Sequence, residues 1–129
     1  MRVAVIGSWE DRKEIATMMF CIEADGHIIT HDWTKHYFSL DPTTKFRQAE
    51  QYAQEDLRMI RDCEVLVFYA KNNFTCRGSY VEMGAALALD KPIILYGHGV
   101  DACIYVNHPL VRRAGSALEV LDMLEEDAF

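Results

Sequence analysis

Arg77-Gly78-Ser79-Tyr80-Val81-Glu82-Met83-Gly84-Ala85-Ala86-Leu87-Ala88-Leu89-Asp90-Lys91-Pro92-Ile93-Ile94-Leu95-Tyr96 is the stretch on which the fold of this 129-residue chain turns. Up to Leu89 it is small or apolar on nearly every side, the composition of a helix buried in a core. Lys91-Pro92 then stops the helix, and Ile93 to Tyr96 reads as a buried strand. The acidic side chain between Arg77 and Asp90 is Glu82. Carboxylates are rarely buried without a partner, and titratable groups in partly desolvated clefts are the usual material of active sites. Glu82 is therefore the first candidate functional residue. Ser79 precedes it with the spacing of a capping box, a purely structural role in which each side chain bonds the other's backbone amide. Gly78 lets the backbone turn tightly against a ligand. Spacing alone leaves both readings open.

Outward from this unit the same alternation recurs. Arg2 to Gly7 is a β-branched run ending in glycine, and residues 8–25 form a helix pattern with Ile15, Met18, Met19 and Ile22 as its apolar positions. Gly26 closes that helix, and residues 27–31 read as a second strand leading into Asp32-Trp33. Residues 34–42 lack periodicity. Residues 43–61 predict a helix with Phe46, Ala49, Ala53, Leu57 and Ile60 on one face, followed by a strand over 63–69 and a loop over 71–76. After Tyr96 come an irregular stretch to Pro109, a short strand near 110–113, and a closing helix over 116–127 using Leu118, Leu121 and Leu124. Strands alternating with helices predict a single α/β domain over residues 1–129, a five-stranded parallel sheet in a three-layer α/β/α sandwich joined by right-handed crossovers. The expected strand order is flavodoxin-like, 2-1-3-4-5, which places ligands at the carboxyl ends of the strands near the point where winding reverses. Gly7-Ser8-Trp9, Asp32-Trp33, residues 69–76 and the segment from Gly97 onward fall at that edge.

Composition narrows the function. A net charge of −7 argues against a nucleic-acid polymer, whose binding needs clustered Lys and Arg, but a mononucleotide needs only a few amides and one or two cations. No stretch approaches the roughly 20 apolar residues of a membrane span, and the N-terminus enters a strand at once, so no signal peptide is expected. Cys21, Cys63, Cys76 and Cys103 form no Cys-x-x-Cys pair, so a reducing, cytoplasmic setting is expected. His27, His31, His36, His98 and His108 offer no His-x-x-x-His pair on a clear helix, and we expect neither metal nor cofactor. Gly7-Ser8 places free amides at a helix start but lacks the further glycines of a dinucleotide fingerprint. Trp9 and Trp33 either stack on a base or belong to the core. Asp32 either binds a base edge or a ribose hydroxyl, or only ends its strand. Asp56 lies near the apolar face of its helix, and its neighbours Tyr52, Ala53, Met59 and Ile60 include no cation that would explain it as a local ion pair.

The run from Arg77 to Ile94 resembles the signature of the nucleoside 2-deoxyribosyltransferase-like family: Gly, then Ser or Thr, two residues, Glu, an apolar residue, Gly, an alanine-rich turn, Lys-Pro and a strand. The resemblance is specific over that run and weaker at Asp56 and Asp32-Trp33. It implies that Glu82 is a nucleophile attacking the anomeric carbon, with Asp56 orienting it and passing a proton to the leaving base. Gly7, Ser8, Trp9, Asp32, Trp33, Arg77, Gly78 and Ser79 would bind substrate. The first-strand motif departs from the family's transferases, where a tyrosine and a glycine-proline turn are common and Ile6-Gly7-Ser8-Trp9 stands here. In the family's nucleotide hydrolases serines and arginines hold a 5′-phosphate, a part that Ser8, Arg12, Arg77 and Ser79 could take. The expected partner is a nucleoside or nucleoside 5′-monophosphate, with a free nucleobase as second substrate if the enzyme is a transferase. The alternatives are a nucleotide N-glycosidase and a catalytically silent nucleotide-binding domain. The resemblance also implies a homo-oligomer, with Tyr105 and Asn107 contributing across subunits.

Overall fold

The structure is a computed structural model that describes residues 1–72, 77–97 and 103–126. Five strands, β1 (Arg2–Gly7), β2 (Ile28–Ile29), β3 (Val65–Tyr69), β4 (Ile93–Tyr96) and β5 (Val111–Ala114), form one parallel sheet in the order β2-β1-β3-β4-β5. This is the predicted doubly wound order. The central strands are continuous apolar runs because helices cover both faces, and every residue of β3 is buried. Register pairs Gly7 with Tyr69 and Tyr69 with Tyr96, bringing three strand ends to one level.

Helices α1 (Arg12–Ala24) and α4 (Ala117–Glu126) pack together on one face, and α2 (Pro42–Asp62) and α3 (Arg77–Ala88) on the other. Helix α1 buries the expected Ile15, Met18, Met19 and Ile22. It ends at Gly26, whose φ of +93° suits the left-handed position. Its start differs from the sequence reading: residues 9–11 form a separate 3-10 turn capped by Ser8. Helix α2 is capped by Asp41, which accepts from the Thr44 amide, with Pro42 in the first turn where its missing donor costs nothing. Asp90, at φ +58°, ends the α3 segment, and the Lys91 amide reaches back to the Ala86 carbonyl. The Lys91 side chain donates to the carbonyls of Arg61 and Cys63, tying the end of α2 to the turn before β4. The lysine of the Lys-Pro pair thus caps a different helix.

Two helices sit differently from expectation. Of the α2 face read as apolar, only Ile60 is buried, joined by Met59, whereas Phe46, Ala49, Ala53 and Leu57 are exposed. The sheet is too small to cover twenty-one residues of helix, so α2 docks by its C-terminal end and the rest projects. In α4 the buried positions are Val120 and Leu124, with Leu118 left on the surface. The second strand is only two residues long, and residues 104–107 form a 3-10 turn that buries Val106 and exposes Ile104 and Tyr105. No described helix is long and apolar enough to cross a membrane. Cys76 and His98 lie outside the described residues.

Candidate active site

Four chain segments meet above the carboxyl end of β1 and enclose a cavity of about 260 Å³ lined by Gly7, Ser8, Trp9, Trp33, His36, Phe38, Tyr52, Asp56, Arg77, Gly78, Ser79 and Glu82. Its position at the switch point between β1 and β3 is the one the topology dictates. A larger groove of about 430 Å³ runs along α2, but its lining residues, Gln51 to Arg61, all come from that helix and provide no opposing wall.

Glu82 projects from the second turn of α3. Its helix starts at Arg77, so Ser79 lies within the first turn, not at the N-cap, and the capping-box register is not met. Burial pushes the Glu82 carboxyl up to about 8, and the neighbouring charge of Asp56 pushes in the same direction. Gly78 is helical and has no positive φ. A side chain there would stand 3.8 Å from Glu82 Oε1, so what glycine provides is an open approach to that oxygen.

Asp56 enters from α2. Burial raises its pKa, against which His36 and then His31 pull downward, while Glu55 adds to the rise. Its Oδ1 is buried without a hydrogen-bond partner among the described residues. A buried acceptor left open in this way is what an incoming donor would satisfy. Glu82 and Asp56 thus line one cavity, where the charge of Asp56 adds to the rise of the Glu82 pKa.

Gly7 is held by close packing: a Cβ there would lie 2.6 Å from Ile15 Cδ1 and 2.8 Å from the Tyr69 carbonyl oxygen. Ser8 is buried, and its hydroxyl is engaged by Glu10, donating to the carboxylate and accepting from the amide at 3.4 Å. The two tryptophans separate the roles left open by sequence. Trp33 is buried and donates its indole N–H to the Val5 carbonyl at 2.6 Å, so it is the fixed floor of the cavity. Trp9 is 44% exposed, lies 6.3 Å from Trp33 between centroids, and carries the Arg12 guanidinium over its ring at 4.6 Å. Arg77 is at the cavity mouth.

Asp32 stands apart. Its carboxylate accepts from the Thr34 amide at 3.0 Å and pairs with Lys35, capping the 3-10 turn of residues 33–35, and it is not among the lining residues. Tyr105 and Asn107 are exposed on the 3-10 turn after β4 and do not line the cavity of their own subunit.

Sequence reasoning missed His36, Phe38 and Tyr52. Tyr52 precedes Asp56 by one helical turn, so the spacing carried a signal. Its ring stacks on His36 at 3.8 Å between centroids, and its hydroxyl donates to the Tyr37 carbonyl at 2.9 Å. The aperiodic segment after Trp33 is thereby clamped to α2 and becomes the far wall of the cavity.

Comparison with known proteins agrees with this architecture. The 2-deoxyribosyltransferase from Bacillus psychrosaccharolyticus superposes with a TM-score of 0.76 at 16% identity, over 95% of this chain and 91% of that one. The Clostridium botulinum CMP N-glycosidase BcmB gives 0.65 at 18% identity, over 98% and 99% of the two chains. At such identities the likeness establishes the shared fold. No curated protein matches in sequence. The family model for nucleoside 2-deoxyribosyltransferase matches residues 7–123, a span that runs from the last residue of β1 through both carboxylates into α4. By that match the chain belongs to the nucleoside 2-deoxyribosyltransferase family.

Proposed function

We propose that this protein cleaves or transfers the N-glycosidic bond of a nucleoside or nucleoside 5′-monophosphate through a covalent glycosyl-Glu82 intermediate. The observation that carries the reading is the convergence of Glu82 and Asp56, from two helices, on one cavity at the switch point. Displacement at an acetal-like carbon needs a nucleophile on one side and a proton donor for the leaving group. A carboxyl pair that retains one proton supplies both. In the free protein burial favours that proton on Glu82, so the productive form has it moved to Asp56, leaving Glu82 ionised.

In the first step Glu82 Oε attacks C1′ as the bond from C1′ to the base nitrogen breaks, and Asp56 protonates the departing base. In the second, water or another base attacks C1′, loses its proton to Asp56, and releases the Glu82 carboxylate. Water makes a hydrolase and a base makes a transferase. Trp9 offers a partly exposed face for stacking, while Arg77, with Arg12 nearby on Trp9, supplies cationic charge suited to a 5′-phosphate.

Assembly belongs to the same proposal. The exposed Phe46, Leu57 and Val81 on α2 and α3, with Ile104 and Tyr105 after β4, are more apolar surface than a small monomer usually leaves bare. We assign them to a homodimer, with Tyr105 and Asn107 meeting the neighbour's cavity. The deciding experiment incubates the protein with a panel of nucleosides and 5′-monophosphates, with and without a free base. Release of base by the wild type, its loss in Glu82→Gln, and a sugar-mass adduct on quenched protein are expected. No turnover of any panel member, with saturable binding retained, would make this a nucleotide-binding domain without catalysis.

A further inference from the structure

At the cavity wall, where His36 Nε2 lies 4.0 Å from Asp56 Oδ1, His31 and His36 face each other across the 3-10 turn of residues 33–35. Their Nε2 atoms are 2.9 Å apart. Glu55, on α2, brings Oε2 to 3.6 Å from the His31 Nε2 and 3.7 Å from the His36 Nε2. A triangle with these sides has its centre about 2.0 Å from every corner, the bond length of a zinc-class ion to imidazole nitrogen and carboxylate oxygen. We propose that His31, His36 and Glu55 bind a divalent transition ion of the zinc class, pinning the connection between β2 and α2 against α2.

Three observations support an ion over a hydrogen-bonded cluster. The two imidazoles share at most one proton between their facing nitrogens when neutral, and Glu55 Oε2 is beyond hydrogen-bond reach of either. Asp56 Oδ1, 4.0 Å from His36 Nε2, is buried and lacks a hydrogen-bond partner among the described residues, so negative charge and open lone pairs concentrate at one point. The ligand geometry is also set in advance. Stacking on Tyr52 with planes only 5° apart fixes the His36 ring, and the turn is anchored through Trp33 to β1. An entrance exists, because His31 and Glu55 also line an outer depression of about 200 Å³ with Thr30 and Arg58.

Two nitrogens and one carboxylate oxygen select zinc, cobalt or nickel over magnesium and calcium, which take oxygen ligands. The fourth position falls to water or to Asp56. Such an ion would fasten the wall that carries His36 and Phe38. The expectation of no metal, drawn from the absence of a helical histidine pair, is replaced by this proposal.

The test uses tag-free full-length protein, stripped with chelator and desalted, and titrated with Co(II). One equivalent should bind with visible d–d absorption and no thiolate charge-transfer band, which separates this cluster from cysteine sites. Zn(II) should displace it and raise the melting temperature, and Mg(II) should do neither. Glu55→Gln, nearly isosteric and on a half-exposed helix position, should weaken Co(II) at least tenfold, as should His31→Ala. His108→Ala, whose ring accepts from the Leu110 amide elsewhere, should bind as the wild type does. Absence of stoichiometric Co(II) binding, or equal binding by the wild type, Glu55→Gln and His31→Ala, would overturn the proposal. None of these readouts depends on glycosyl chemistry.

Discussion

Helices α2 and α3 each bring one carboxylate to the cavity, yet they hold them in opposite ways. Helix α3 is almost without charge, buries Ser79, Met83, Ala86 and Leu87, and leaves Glu82 desolvated with one acidic neighbour. Helix α2 is polar along most of its length, touches the core mainly through Met59 and Ile60, and gives Asp56 two histidines and a second carboxylate as company. One site raises a pKa by exclusion of water. The other balances burial against charge. Two carboxyl groups treated so differently suit the proposed division of work between nucleophile and acid, a pattern by which one fold runs both chemistries near neutral pH.

The strongest test of this division is Glu82→Gln. Glutamine keeps shape and helix propensity but cannot form the glycosyl ester, so turnover should fall by on the order of 10⁴-fold or more while the far-UV spectrum is unchanged. Turnover near the wild-type rate would reduce Glu82 to a structural residue and erase the contrast.

Asp56→Asn should lower the rate by roughly 10²- to 10⁴-fold, least for substrates whose base departs without protonation. It also removes the second cause of the raised Glu82 pKa, so the rise of kcat/KM with pH should move to lower pH than in the wild type. A uniform loss across leaving groups, with the pH profile unmoved, would mean that the pair does not interact.

Stability gives a third measure. Glu82 goes from an ordinary value of 4.5 to about 8 in the folded state, so the native protein holds a proton that the unfolded chain releases. Its contribution is fully present below pH 4.5 and is lost as pH rises through 8. Glu82→Gln should therefore gain stability relative to the wild type between pH 5 and about 8.5, by on the order of 2 kcal/mol once residual solvent contact is allowed for. Denaturant melts at the two ends of that range check it, and a constant difference would show that Glu82 is not desolvated.

The smallest effect concerns the part of α2 that the sheet leaves bare. Phe46→Glu places a charge on an exposed position and should change monomer stability by less than about 0.5 kcal/mol. Light scattering should nevertheless show the mass of the proposed dimer falling to 14.8 kDa. An unchanged mass would remove this end of the stripe from the interface.

Legibility from sequence followed the same line between the two helices. Glu82 stood out because an acid in an apolar run conflicts with its surroundings, and that conflict is written in consecutive residues. From its own residues Asp56 was visible as an acid without a local cation, and its neighbours His36 and His31 come from another segment. The apolar stripe of α2 was read correctly as a stripe, but periodicity says which residues share a face, not what the face meets. Asp32 shows the converse. Its type and place beside the crevice made it a candidate, and the 3-10 turn of residues 33–35 directed its carboxylate to Thr34 instead.

By itself, then, the sequence determined the alternation of strands and helices, hence the parallel sheet and its switch point, because strand and helix periods and glycine turns are local properties. It also determined that Glu82 needed explaining. Only the tertiary structure decided that Trp33 is the floor and Trp9 the rim, that Tyr52 clamps His36, and that His31, His36 and Glu55 meet. Those outcomes depend on how the segment after β2 folds back on α2, a contact between residues 15 to 24 positions apart that no local pattern encodes.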